Sequence, residues 1–291
     1  MEGFLCINKP SGMTSHDVVS RARRLLRTKK IGHTGTLDPL ATGVLVLCVG
    51  KATRLADYIQ AGEKRYLCRM LLGKGTDTLD TEGVVTAEAP AGHIGPEHLA
   101  AALPCFLGEQ LQTPPSVSAI KKDGVPLYRL ARQGEMVVPE PRRVRVESLE
   151  LQDFCADPVH PSALLTVECS KGTYVRALVR DIGRRLGVPA CVCSLHRSRN
   201  AGFEDSEAIP LAELEEMTPE EIAGAMLPMD TVCRFLPSFS TGEARRLSCG
   251  LSVSARVPDT DAIVALAGGE VAALGRVEEG MFYPGKVFID P

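Results

Sequence analysis

Apolar positions follow two rhythms over the first two thirds of the chain and then break into short runs. GFLCI at 3–7 is a continuous apolar stretch of strand length. After a Pro/Gly turn at 10–12, Thr14 or Ser15 can cap a helix reaching about residue 27, with Val18, Val19, Ala22, Leu25 and Leu26 as its buried stripe. VLVLCVG at 44–50 reads as a buried strand. Ala52, Leu55, Ala56 and Ile59 predict a short helix at 51–60, and KRYLCRMLLG at 64–73 predicts a strand ending in the turn-like GTDTLDTEG. A helix is expected over 96–107, with Leu99, Leu103, Phe106 and Leu107 inward. Strand alternation returns at 143–152 and 162–169. Over 173–186 the pattern is helical again: Val175, Leu178, Val179, Ile182 and Leu186 share a face, Gly187 stands at the C′ position and Pro189 follows. Strand-like CVCSL and the basic HRSR come next.

Two stretches interrupt these rhythms. TPPSVSAIKKDGVPLYRLARQGEMVVPEPRR at 113–143 carries five prolines, and with the adjoining Arg145 it offers seven basic residues (Lys121, Lys122, Arg129, Arg132, Arg142, Arg143, Arg145). It is expected to be an insertion projecting from a sheet, with a short helix near 126–133. Residues 204–230 hold nine acidic side chains and no Lys or Arg, a solvated acidic surface near a domain boundary. From about 236 short apolar runs are broken by Gly, Pro and Ser, which suggests a small β-barrel-like domain.

A length of 291 residues allows two domains, and 44% hydrophobic residues allow a sizeable core. MEGFLCINKP lacks the basic start and apolar stretch of a secretion signal, and no apolar run approaches the ~18 residues that cross a bilayer. A soluble, cytoplasmic protein is expected. The ten cysteines are scattered, several inside strand-like runs. The close pair Cys191 and Cys193 lacks the second pair of a structural zinc site, so neither metal nor disulfide is assigned. The net charge of −3 conceals an asymmetry: residues 1–75 hold 13 Lys/Arg and 5 Asp/Glu, and the remaining 216 hold 20 and 31. A basic portion on an acidic protein suggests a patch for a polyanion. With no tryptophan and 4% aromatics, a single-strand binder built on many stacking platforms is disfavoured.

The most informative segment for chemistry is GHTGTLDPLATG at 32–43. Its three glycines permit sharp turns and close approach to a ligand, and its one carboxylate, Asp38, precedes Pro39, which biases it toward an extended conformation. A carboxylate on a rigid loop at a strand edge suits a nucleophile or base; Asp-Pro is also a common turn opener. The glycine pattern is neither G-x-G-x-x-G nor a Walker loop, and no GK[ST] follows. The H-x-E and P-C-x-x-C of zinc nucleobase deaminases are absent.

GHTGTLDPLATG resembles the signature loop of TruB-type pseudouridine synthases. Five further segments resemble that family in order: NKPSGMTS near the start, KRY at 64–66, GTDTLDTEG at 75–83, SAIKKDGVPLYRLARQG at 118–134 and SKGTYVRALVRDIG at 170–183. One departure is Asn8, where Asp is common before the Lys-Pro pair. The resemblance implies an α+β fold: a mixed, mainly antiparallel sheet with flanking helices over 1–232, carrying an RNA-binding insertion at about 113–143, and a PUA-like RNA-binding β domain over 233–291. It implies isomerisation of uridine to pseudouridine at position 55 in the T-loop of tRNA, without cofactor or metal, by a protein expected to be a monomer with no protein partner.

The resemblance also assigns roles. Asp38 would be the catalytic carboxylate, Tyr66 would stack on the uracil, Tyr174 would contact the base and serve proton removal, and Arg176 would pair with Asp38. Residues two apart on a helix do not share a face, so Tyr174 and Arg176 reach one pocket only if 172–176 is extended. Leu195 would line the pocket, and His33 would fill the gap left by the flipped nucleotide. Lys9, Lys121 and Lys122 complete the expected substrate contacts. Two other readings share these residues: the catalytic subunit of a guide-RNA ribonucleoprotein, whose members usually lack the 113–143 insertion, and an RNA-binding or RNA-folding protein without turnover.

Overall fold

The computed structural model describes residues 1–290, apart from the side chain of Arg132. Pro291, the last residue of the expected C-terminal domain, and the Arg132 side chain, one of the insertion's basic groups, lie outside the described residues. The chain opens with β1 (Gly3–Lys9). At Thr14 a reciprocal capping box starts α1 (Ser15–Leu25): Asp17 N–H donates to Thr14 Oγ1 at 3.1 Å and Thr14 N–H to Asp17 Oδ2 at 2.9 Å. The helix stops short of the expected residue 27, because Arg27 turns left-handed at φ 48°. β2 (Ile31–His33) and β3 (Thr42–Val49) bracket the glycine-rich loop, and β3 pairs with β1 from Gly3↔Val49 to Lys9↔Gly43. The helix expected at 51–60 divides into a 3₁₀ turn, Gly50–Leu55, and α2 (Ala56–Ala61), with Ala52, Leu55 and Ile59 fully buried.

In β4 (Lys64–Leu72), Lys64, Tyr66, Cys68, Met70 and Leu72 alternate inward. β5 (Lys74–Thr76) and β6 (Val85–Glu88) form a ribbon around GTDTLDTEG. The helix expected over 96–107 is shorter: α3 (Pro96–Ala102) tightens into a 3₁₀ turn, Leu103–Phe106. Pro104 offers no N–H to continue the α pattern, and Leu107 turns outward, 46% exposed. β7 (Gly108–Gln112) then forms one edge of the main sheet. The insertion carries a small ribbon, β8 (Lys121–Lys122) with β9 (Val125–Pro126), and α4 (Leu127–Arg132). β10 (Arg142–Cys155) and β11 (Ser162–Cys169) return to the sheet. α5 (Val175–Leu186) ends at left-handed Gly187, where the sequence places its stop, and β12 (Ala190–Asn200) runs through CVCSLHRSRN. The acidic stretch supplies β13 (Phe203–Glu204), β14 (Ile209–Pro210), α6 (Leu211–Glu216) and α7 (Pro219–Ala225).

Among the described residues ten strands build the main sheet, ordered β14-β1-β3-β12-β4-β11-β10-β7, with β2 added on β3 and β13 on β12. Most pairings are antiparallel. The parallel pairing of β12 with β3, His196↔Thr42 and Arg197↔Gly43, joins the glycine-rich loop to the centre of the sheet. Val18 and Val19 of α1 and Leu178, Val179 and Ile182 of α5 share one apolar cluster with Leu45, Leu47 and Met70 of the sheet. Beyond residue 237, β15 (Ser238–Ser240), β16 (Val253–Ser254), β17 (Thr260–Ala267), β18 (Glu270–Glu278) and β19 (Met281–Val287) form a second, five-stranded sheet, with a short helix, α8 (Ala244–Ser248), between β15 and β16. Its Val264, Val271 and Leu274 share an apolar cluster with Phe4, Val46 and Phe203 of the main sheet.

Candidate active site

The glycine-rich loop is fixed on both sides of Asp38. Leu37 N–H donates to Ser15 Oγ at 2.8 Å, Gly12 N–H to the Pro39 carbonyl at 2.9 Å, and Ala41 N–H to the Asp38 carbonyl at 3.1 Å. Leu37 and Ala41 are buried, and Asn200 Nδ2 holds Thr34 Oγ1 at 3.0 Å. At the exit the backbone of β12 passes so close to Gly43 that a Cβ there would lie 2.3 Å from the Arg197 carbonyl oxygen; with φ +97°, the position admits only glycine. Asp38 therefore projects from a rigid turn, its side chain 30% exposed to a cavity of about 670 Å³.

Arg176, 4% exposed, meets Asp38 with a bidentate fork: Nε to Oδ2 and Nη2 to Oδ1, both 2.9 Å. The rest of its guanidinium is also engaged. Nη1 donates to the Thr78 carbonyl and lies 3.4 Å from Asp80 Oδ2, and Nη2 reaches the Val117 carbonyl at 3.3 Å. Asp80 is itself buried and fixed, since its Oδ1 accepts from Thr78 Oγ1 at 2.6 Å and from Glu82 N–H at 3.2 Å. The result is a row Asp38–Arg176–Asp80 with one cation between two carboxylates.

Tyr174 is the N-cap of α5, with extended φ −99° and ψ 110°, so it and Arg176 line the same cavity although they are only two residues apart. Gln112 clamps its backbone, accepting from Tyr174 N–H at 2.8 Å and donating to its carbonyl at 3.2 Å. The Arg142 guanidinium lies 4.6 Å from its ring centroid. Tyr66 and Leu195 enter from β4 and β12 and line the same space. Burial raises the Tyr66 phenol above its ordinary range, and the charge of Arg197 opposes this.

The remaining expected residues lie elsewhere. Lys9 is not a substrate contact: it is 0% exposed, and its Nζ is used by the carbonyls of Pro10 (2.8 Å), Met13 (2.8 Å) and Pro39 (3.2 Å). It braces the turn next to Asp38 from behind. Burial holds its ammonium down to about 8, with Asp38 pulling the other way. Lys121 and Lys122 are exposed on the insertion's ribbon, following Ala119 and Ile120, which do line the cavity. His33 is half-buried at the end of β2 and accepts from Gly35 N–H at 3.3 Å through Nδ1; burial, aided by Arg197, lowers its pKa and keeps the ring neutral. Asp80, Gln112 and Arg197 are the neighbours that a reading of the sequence leaves out, whereas Arg142 is expected only as one of the basic residues of the insertion. For Asp80 a signal exists, since it is an acidic residue within GTDTLDTEG.

Residues 23–175 match the TruB family pseudouridylate synthase N-terminal domain, and residues 176–234 match the tRNA pseudouridylate synthase B C-terminal domain. The chain belongs to the TruB family of pseudouridylate synthases. It is 45% identical to the tRNA pseudouridine synthase B of Syntrophotalea carbinolica, over 82% of this chain and 77% of that one. It is 39% identical to the tRNA pseudouridine synthase B of Dehalococcoides mccartyi strain BAV1, over 99% and 97%. Among solved structures, a Cbf5-Nop10-Gar1 complex aligns with TM-score 0.76 at 25% identity, over 99% of this chain and 85% of that one. An H/ACA RNP bound to a substrate RNA containing 2′-deoxyuridine aligns with TM-score 0.75 at 23% identity, over 99% and 85%, and shares the fold. The α+β pseudouridine synthase architecture, with a second curled β sheet, is thus the fold of this enzyme.

Proposed function

We propose that the enzyme isomerises uridine to pseudouridine in tRNA, at position 55 of the T-loop, with Asp38 as the catalytic carboxylate. The observation that carries this reading is the bidentate Asp38–Arg176 pair, opening into one cavity with Tyr66, Tyr174 and Leu195. The reaction breaks the bond from uracil N1 to the ribose C1′, and the electron pair leaves with the ring. The ring turns, C5 bonds to C1′, and the hydrogen at C5 departs as a proton. Asp38 either adds to C6 of the ring, attacks C1′, or abstracts a ribose proton to give a glycal; each route begins from the carboxylate that Arg176 holds in place.

The other residues serve a substrate that must be extracted from a folded RNA loop. Extrusion costs a few kcal/mol, less in a strained loop, and phosphate contacts offset it. The cavity lining has six cationic side chains against two carboxylates, matched to a polyanion. Tyr66 stacks on the extruded uracil, Leu195 supplies apolar contact, and Tyr174 takes part in proton removal at C5. The neutral ring of His33 occupies the place the base has left. Lys121 and Lys122 meet phosphates as the insertion, residues 113–143, closes over the T-loop, and the PUA-like domain from about 233 extends the RNA surface. The presence of that insertion favours an enzyme that acts alone over a guide-RNA subunit.

The deciding experiment uses a T-arm RNA tritiated at uridine C5. Formation of the C5–C1′ bond must release the label to water. Release by the wild-type protein and none by Asp38→Ala is the expected result; retention of label by the wild type would refute the reading.

A further inference from the structure

Among the described residues Arg197 is the largest fully buried side chain, 1% exposed, and it stands at the wall of the cavity beside Leu195. Its partners are neutral. Nε donates to the Val44 carbonyl at 2.8 Å and Nη2 to the Gly35 carbonyl at 3.1 Å, and on the neighbouring strand Arg197 stands opposite Tyr66. Among the described residues no carboxylate lies within ion-pairing distance of it, in contrast to Arg176, which has two. A buried guanidinium bonded to backbone carbonyls but without a counter-charge is an arrangement proteins avoid, because the desolvation of the charge is not offset. Its field is felt widely, opposing the protonation of His33, Lys9 and Lys64.

The missing counter-charge has an evident source in the reaction proposed above, on which this inference rests. Departure of uracil from C1′ leaves the N1 electron pair on the ring, shared with the O2 and O4 carbonyls. Addition at C6 likewise pushes charge onto O4. We propose that Arg197 offsets the negative charge that develops on the pyrimidine, acting by its field from its place opposite Tyr66 on the neighbouring strand. Its position on β12, with its backbone packed against Gly43 at the exit of the Asp38 loop, sets that charge rigidly relative to the carboxylate. A fixed charge aimed at where charge appears, and not at the resting substrate, is what accelerates a chemical step.

The test separates this role from a structural one by changing how much help the ring needs. A T-arm RNA with 5-fluorouridine at the target carries a ring whose anion is intrinsically more stable. Single-turnover loss of the target nucleoside is measured at saturating enzyme for uridine and 5-fluorouridine RNAs. Arg197→Met and Arg197→Gln are expected to lose about 100-fold on uridine and no more than about tenfold on 5-fluorouridine. Arg197→Lys, which keeps the charge, should leave the ratio of the two rates within about threefold of wild type. Glutamine retains donors for the Val44 and Gly35 carbonyls, so it carries the test should methionine fail to fold. Equal losses on both RNAs by the neutral variants would overturn the proposal in favour of a packing role. Weaker RNA binding with a flattened salt dependence and an unchanged single-turnover rate would overturn it in favour of a phosphate contact. Failure of the wild type to convert uridine at all would instead refute the isomerase reading.

Discussion

Replacing Asp80 by asparagine removes one charge from the Asp38–Arg176–Asp80 row and leaves its shape nearly unchanged. Asp80 Oδ2 lies 3.4 Å from Arg176 Nη1, and at an effective dielectric of about 20 the gross attraction is about 5 kcal/mol. The net effect is smaller. Asparagine still presents an oxygen to the guanidinium, worth about 1–1.5 kcal/mol, and Arg176 keeps Asp38 and the Thr78 and Val117 carbonyls. At most about 3.5–4 kcal/mol remains, and if it falls on the placement of Arg176 in the transition state the rate drops by up to several hundredfold. Tritium release under single-turnover conditions reads the rate, filter binding reads affinity, and a thermal melt reads how much of the loss falls on folding. RNA affinity should stay within about threefold, since Asp80 is buried behind Arg176. A rate within twofold of wild type in a normally stable variant would show that Asp80 does not govern Arg176. A loss of affinity as large as the loss of rate would place Asp80 in the RNA surface instead.

Asp38→Asn should abolish tritium release while RNA affinity stays within about threefold, because the side chain is one contact among many on a cationic surface; matched losses in binding and rate would give Asp38 a structural role. Reversing the charge of Lys121 and Lys122 should weaken tRNA binding and flatten the slope of log affinity against log salt, and an unchanged slope counts against phosphate contact there. Alkaline stability has a definite sign: burial raises the thiols of Cys6, Cys48, Cys68, Cys169 and Cys191 above their ordinary 9.0, so the unfolded chain releases those protons first and stability is lost as pH rises above 9. Lys9 and Lys64, held down to about 8 by burial, add stability between 8 and 10.5, but two protons are outweighed by five; a denaturant midpoint that rises from pH 9 to 11 would refute this balance.

The parts of this molecule that can be read in the sequence are those whose cause is local. The stop of α5 at Gly187, the cap at Thr14 and the inward alternation of β4 each follow from residues within one turn or one pleat. The loop carrying Asp38 is recognisable because its glycines and proline constrain a few consecutive residues. Other features are settled across the sheet. Lys9 passes for a substrate contact because a lysine beside a catalytic loop is ordinarily exposed; only the closure of Pro10, Met13 and Pro39 around it shows that the ammonium is used up. Arg197 looks like one of several basic residues in HRSR, and nothing local distinguishes it from Arg199, which is paired with Glu168 at 3.3 Å on the surface. The division of 96–107 lies between these cases, since Pro104 is visible in the sequence but the competing apolar pattern conceals its effect.

The cations around the cavity differ in depth, and depth decides what each can do. Arg142, Arg143 and Lys171 stand at its rim, where water and salt screen them beyond about 8 Å at physiological ionic strength. They suit phosphates, whose attraction must be strong enough to dock the RNA and weak enough to release it. Arg176 and Arg197 are enclosed, so salt screens them little, and each is tied by several bonds to backbone that cannot follow the substrate. Arg176 is committed to the carboxylates, whereas Arg197 has no anion of its own. Raising the salt concentration should therefore weaken RNA binding steeply while leaving the single-turnover rate at saturating enzyme nearly unchanged. A rate that fell with salt in parallel with affinity would mean that the outer cations act on the chemistry, and the separation of docking from bond rearrangement would have to be given up.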